Sequence, residues 1–215
     1  MPSSAYHHIF EPATKPAAPP LLLLHGTGGS EQDLLRLGRA VSPGSALLSP
    51  RGDVSEGGAL RFFARLGEGV FDPAEVTRRT NALADFVLAA ARRYAIDARQ
   101  LIAVGFSNGA NIAATLMQLR PETLGGGILF RAMVVLDQPA APASLAGRRV
   151  LIVNGSVDPI VPADHPARLA ALLRAGDAEV KVHPVQASHQ LTSQDAAAAQ
   201  EWLQRMTATP AKIIP

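Results

Sequence analysis

One pentapeptide constrains this chain more than any other. Gly105-Phe106-Ser107-Asn108-Gly109 stands between the apolar run Leu101-Ile102-Ala103-Val104 and a helical pattern over residues 108–119. The run reads as a buried strand of a parallel sheet. The pattern puts Ile112, Ala113, Leu116 and Leu119 on one face, and Pro121 ends it. A chain that passes from strand to helix through a single serine must turn sharply and bring backbones close together. Glycine two residues to either side removes the side chains that would collide. Such a turn lifts the serine Oγ above the sheet and aims the first helix amides at the same point.

The rest of the chain fits a layered α/β plan. Short apolar runs at 6–10, 21–24, 46–49, 133–136, 150–153 and 180–183 are further strand candidates. Helical patterns fall at 30–40, from Asp72 through Tyr94, at 162–175 and at 193–206. Ser30 is a candidate N-cap. Asp72-Pro73-Ala74-Glu75 is a stronger start: N-cap Asp72, Pro73 in the first turn, Glu75 completing a capping box. Residues 53–71, rich in glycine, read as a long loop. Alternating strands and helices predict a mostly parallel central sheet with helices on both faces.

Composition excludes several classes. At 215 residues and 47% hydrophobic, the chain is long enough for one domain with its own core, residues 1–215. Cysteine is absent, so disulfides, thiolate metal sites and thiol nucleophiles are excluded. The net charge is +2, from 20 basic and 18 acidic residues, and the tightest basic groups are pairs such as Arg78-Arg79. That argues against a nucleic-acid partner. The apolar run at 21–24 is far too short to span a membrane, and no signal peptide is recognisable at the start. The expected location is the cytoplasm.

A serine on such a turn needs a base, and the base needs an orienting carboxylate. The expected chain order is Ser, then Asp or Glu, then His. Asp158 follows the strand candidate at 150–153, and His189 follows the last one; loops past the carboxyl ends of strands are where such sheets build sites. Asp164 and Asp177 are rivals, one opening a helix and the other in a turn. Among the other histidines, His7 and His8 precede everything, His25 reads as structural, His165 is too close to the Asp158 loop, and His183 lies inside a strand candidate. The loop His25-Gly26-Thr27-Gly28-Gly29 supplies the second half of an oxyanion hole, with backbone N–H groups of Thr27 and Asn108 as the donors. Its rival is a phosphate loop, but neither phosphate-binding glycine pattern is complete. Arg61-Phe62-Phe63 is a candidate substrate-pocket wall; equally, the two phenylalanines could cap the core beneath a long loop.

Gly-Phe-Ser-Asn-Gly-Ala-Asn at 105–111, Leu-His-Gly-Thr-Gly-Gly at 24–29 and Gly-Ser-Val-Asp-Pro-Ile-Val-Pro at 155–162 resemble the phospholipase/carboxylesterase family of α/β-hydrolases. Arg51-Gly52 and residues 61–66 through 69–72 resemble a bacterial subgroup of small serine hydrolases, similar to hydroquinone-induced hydrolases. The resemblance covers residues 21–203. It implies the α/β-hydrolase fold and a Ser107, Asp158, His189 triad with Thr27 and Asn108 as oxyanion donors. Ser107 is expected to attack a carboxylic ester or thioester carbonyl, and a compact chain of 215 residues with no recognisable hydrophobic lid points to small or medium acyl groups. No metal or organic cofactor is required, and a homodimer is left open. A non-catalytic module binding an aromatic or quinone is the alternative on the same fold. The related dienelactone hydrolases use cysteine, which this chain lacks. One departure concerns substrate: Arg131-Ala132 stands where subgroup members tend to carry His-Pro.

Overall fold

A computed structural model describes residues 6–208. Its strands are β1 (His8–Glu11), β2 (Leu21–Leu24), β3 (Leu47–Pro50), β4 (Val54–Glu56), β5 (Ala59–Arg61), β6 (Ile102–Phe106), β7 (Gly126–Phe130), β8 (Arg149–Gly155) and β9 (Glu179–Val185). Its α-helices are α1 (Leu35–Val41), α2 (Pro73–Arg93), α3 (Asn108–Leu119), α4 (His165–Arg174) and α5 (Ser193–Ala208). Seven strands form one sheet in the order β1-β3-β2-β6-β7-β8-β9. Every neighbouring pair is parallel except β1 with β3.

Strand residues alternate between two cores, as the two-residue period requires. Leu22, Leu24, Ala103, Leu129, Val150 and Ile152 pack with α2, α3 and α4 on one face. Leu21, Leu23, Val104, Ile128, Phe130 and Val153 pack with α1 and α5 on the other. Both faces being covered explains why β2 is four leucines in a row, all fully buried. Thr80 and Thr115 share a buried hydrogen bond of 2.7 Å between α2 and α3. It satisfies two hydroxyls that the helix contact takes out of water.

The strand order reverses next to β2, with β3 on one side and β6 on the other. Connections therefore leave β2 and β6 in opposite directions, and a crevice opens beyond their carboxyl ends. Thr27, on the loop after β2, and Ser107, after β6, both line it.

Several expectations need correction. Residues 133–136 are not a strand. The strand is β7, whose first two residues are glycines; a Cβ on Gly126 would stand 2.4 Å from the Arg149 carbonyl oxygen of the next strand. Met133, Val135 and Leu136 are apolar because they are buried in the following loop, where Met133 N–H donates to Asn111 Oδ1. Ser30 caps nothing at the start of α1: its hydroxyl donates to Asp33, and the helix begins at Leu35. The loop expected at 53–71 contains the hairpin β4–β5, turned by Gly57 and Gly58 at φ +59° and +89°. Asp72 does cap α2, accepting from Ala74 N–H at 2.9 Å. Glu75 does not complete a capping box; its carboxylate is taken by Arg78 and Arg79. Helix α4 starts at His165, later than 162.

Candidate active site

Ser107 sits at φ +51°, ψ −116°, between the last residue of β6 and the first of α3. Holding a non-glycine residue there costs about 1–3 kcal/mol, so its surroundings must impose it. They do so by contact. A Cβ on Gly105 would lie 2.6 Å from the Gly109 carbonyl oxygen, and one on Gly109 would lie 2.0 Å from that of Leu24. Ser107 N–H donates to Phe130 O at 2.9 Å, and its carbonyl accepts from Asn111 N–H, the first turn of α3.

Two loops bring the other groups to it. Ser107 Oγ–H donates to His189 Nε2 at 3.0 Å. His189 Nδ1–H donates to Asp158 Oδ2 at 2.8 Å. Asp158 is fixed from the other side, its Oδ1 accepting from the N–H of Ile160 at 2.8 Å and of Val161 at 3.2 Å. Its carboxylate is 2% exposed, against 17% for the imidazole. The loop after β8 and the loop after β9 are stitched by Ser156 N–H to Val185 O and Val157 N–H to Ala187 O. The Phe106 ring lies against the imidazole, centroids 5.5 Å apart.

Thr27 and Asn108 border the same cleft as Ser107 and His189. The Thr27 loop is held by the β4–β5 hairpin: Gly28 N–H donates to Leu60 O at 2.9 Å, and Arg61 Nη1 donates to Thr27 Oγ1 at 2.7 Å. Arg61 is nearly buried, donates from Nε to Phe63 O, and faces Glu56 at 3.3 Å. Burial pulls its pKa below the ordinary arginine value, with Glu56 opposing. Asn108 Oδ1 accepts from Phe62 N–H at 2.7 Å.

Phe62 and Phe63 are not on the cleft. Both are fully buried in the core, so the core-capping alternative holds for them, and of the three only Arg61 reaches the lining. The aromatic wall is Phe71, which Phe63 backs edge-on at 5.5 Å. The cleft is about 210 Å³, with Phe71, Phe106, Met133 and Ile160 as its apolar side. Asn111 also reaches it. Its position four residues after Ser107 on α3, one helical turn on, is the sequence signal that could have found it.

The competing residues lie elsewhere. His25 is buried and structural: Nδ1–H donates to Gly26 O and Nε2 accepts from Gly52 N–H. Burial lowers its pKa, which keeps it neutral in that double role. His165 Nδ1 accepts from Val134 N–H. His183 is within β9, and His8 bonds Tyr94. Asp164 precedes α4 and Asp177 occupies a turn at φ +67°. Arg131, the departure from the subgroup, is wholly buried and does not line the cleft.

The phospholipase/carboxylesterase family model matches residues 67–207. MhqD of Bacillus subtilis (strain 168) is 44% identical over 195 residues, covering 91% of this chain and 96% of that protein. The carboxylesterase of Bacillus cereus superposes with a TM-score of 0.90 at 40% identity, covering 94% of this chain and 95% of the other. A carboxylesterase from Mesorhizobium loti gives 0.86 at 33% identity, with 95% and 97% covered. Among the described residues no helix is long and apolar enough to cross a membrane. Family, relatives and fold agree: this chain belongs to the phospholipase/carboxylesterase family and is a hydrolase of the carboxylesterase type, acting on small-molecule esters.

Proposed function

We propose that Ser107 is the nucleophile of a serine esterase, His189 its general base and Asp158 the group that orients the base. The observation that carries this reading is the unbroken relay from Ser107 Oγ to His189 Nε2 at 3.0 Å and from Nδ1 to Asp158 Oδ2 at 2.8 Å. In the acylation step Oγ attacks the ester carbonyl while Nε2 takes the hydroxyl proton. The imidazolium, stabilised by the Asp158 carboxylate, returns that proton to the departing alcohol or thiol. The acyl group stays on Oγ as an ester. Water, deprotonated by the same Nε2, then attacks it and releases the acid and free Ser107.

The oxyanion of each tetrahedral intermediate is assigned to the backbone N–H groups of Thr27 and Asn108. Two features support this. Asn108 opens α3, and the first amides of a helix carry the positive end of its dipole. Thr27 is braced from behind by the cationic Arg61 and the Gly28–Leu60 bond. Arg61 therefore serves the site by holding that loop. One oxyanion donor is worth about 10²–10³ in rate.

The cleft volume favours small or medium acyl groups, since pockets for drug-sized ligands run to roughly 300–1,000 Å³. Its apolar side suits the acyl chain. The reading takes residues 1–215 as one domain that performs the reaction without a cofactor. Ser107→Ala should abolish turnover of p-nitrophenyl butyrate in a protein that melts like the parent. Undiminished turnover would contradict the assignment.

A further inference from the structure

His189 lies on a loop between β9 and α5, and its base function depends on where that loop sits. Its two flanking carbonyls are both held by one residue. Arg131 donates from Nε to Ser188 O at 2.9 Å and from Nη2 to Gln190 O at 2.8 Å. The remaining donors go to Asp195, Nη1 to Oδ1 at 2.7 Å and Nη2 to Oδ2 at 2.9 Å, and to Val153 O from Nη1 at 3.2 Å. All five N–H groups of the guanidinium are thereby used. Arg131 is fully buried and Asp195 is 1% exposed.

The backbone is bent to deliver this side chain. Arg131 follows β7 at φ +56°, a left-handed conformation that a long side chain rarely takes, and its N–H donates to Val153 O. Asp195 is fixed in turn. In the first turn of α5 its Oδ2 accepts from both the N–H and the hydroxyl of Thr192, at 2.7 and 2.9 Å. A strained residue carrying a buried, fully bonded charge is an expensive way to support a loop, because an apolar plug of similar volume often serves stability as well. What an apolar plug lacks is direction. A planar fork fixes two carbonyls on either side of one residue.

We infer that Arg131 and Asp195 are positioning residues: a buried clamp that sets the main chain of residues 188–190 so that His189 meets Ser107 and Asp158 together. The clamp rests on the reading of His189 as the base. It acts through that histidine and touches no substrate.

The test is a cycle between Arg131→Lys and His189→Ala in the full chain. Rates with p-nitrophenyl butyrate are taken where melting curves show each variant folded. Lysine keeps the charge opposite Asp195 but has three donors and no fork. The clamp predicts a loss of about 10²-fold in kcat for Arg131→Lys, with KM nearly unchanged, as a misplaced base requires. It predicts that the same change leaves the residual rate of His189→Ala within about twofold. Asp195→Asn, of the same shape and uncharged, should follow the same pattern. An equal fold-loss in both backgrounds, a full kcat in Arg131→Lys, or failure of both variants to fold would each overturn the clamp. Ser107→Ala is assayed beside them. If it keeps activity, the nucleophile reading falls and the clamp with it. If it is dead while Arg131→Lys is fully active, the clamp alone falls.

Discussion

Gly109 at the start of α3 is packed against the main chain of Leu24 at the end of β2, so closely that a Cβ would stand 2.0 Å from the Leu24 carbonyl oxygen. No side-chain movement relieves such a contact, because both partners are backbone. Gly109→Ala should therefore cost about 1–3 kcal/mol or more in stability and pull Ser107 off its turn. Gly67→Ala is the control, since a Cβ there meets nothing within 4 Å. Denaturant melts should separate the two; equal stability of both variants would contradict the packing account.

Asp158→Asn should leave the fold nearly intact and remove most of the activity. The asparagine oxygen can still accept from Ile160 and Val161, but the amide group cannot accept from His189 Nδ1. The imidazole then favours the wrong tautomer, and kcat should fall about 10⁴-fold. Steady-state kinetics with a p-nitrophenyl ester read this directly. A variant within tenfold of the parent would mean that Asp158 does not orient the base.

Phe71 and Phe63 should part company. Phe71 faces the cleft and is half-buried, whereas Phe63 sits behind it and is fully buried. Phe71→Ala should change the preference across acyl chain lengths with a modest loss of stability. Phe63→Ala should cost about 3–5 kcal/mol. A chain-length profile of Phe71→Ala identical to the parent's would remove Phe71 from the acyl wall.

Stability at acid pH should depend on Glu31. Arg51 grips its carboxylate with two hydrogen bonds, 2.5 and 2.6 Å, and holds its pKa down to about 2. The folded protein then keeps Glu31 ionised where the unfolded chain takes up a proton, near the ordinary glutamate value of 4.5. The pair's contribution is fully present above pH 4.5 and is lost as pH falls from there towards 2. Arg51 is 40% exposed, so solvent screening limits the effect to about 1 kcal/mol or less at pH 7. Glu31→Gln should be less stable by that amount at neutral pH and should converge on the parent in acid. Urea melts across this range check it, and parallel pH curves would contradict it.

The elbow was legible because its chemistry is local: two glycines and a serine at fixed spacing state their own packing constraint. The same holds for β2, whose four leucines need two covered faces, and for Asp72, which caps the helix that follows it. What the sequence left hidden depends on partners far along the chain. Met133 to Leu136 looks like a strand because burial, not extension, makes it apolar. Phe62 and Phe63 sit in an apolar run whose outward and inward members cannot be told apart until the β4–β5 hairpin is in place. The role of Arg131 depends on Asp195, 64 residues away, and on carbonyls at 188 and 190, which carry no side-chain signature.

Hydrolysis by this triad requires that Ser107 become covalently acylated. Intact-mass analysis after treatment with a fluorophosphonate tests it most directly, followed by peptide mapping of the adduct. One adduct per chain is expected, on Ser107, formed in step with loss of esterase activity and absent from Ser107→Ala. An adduct on another residue, or full inhibition with Ser107 unmodified, would contradict it.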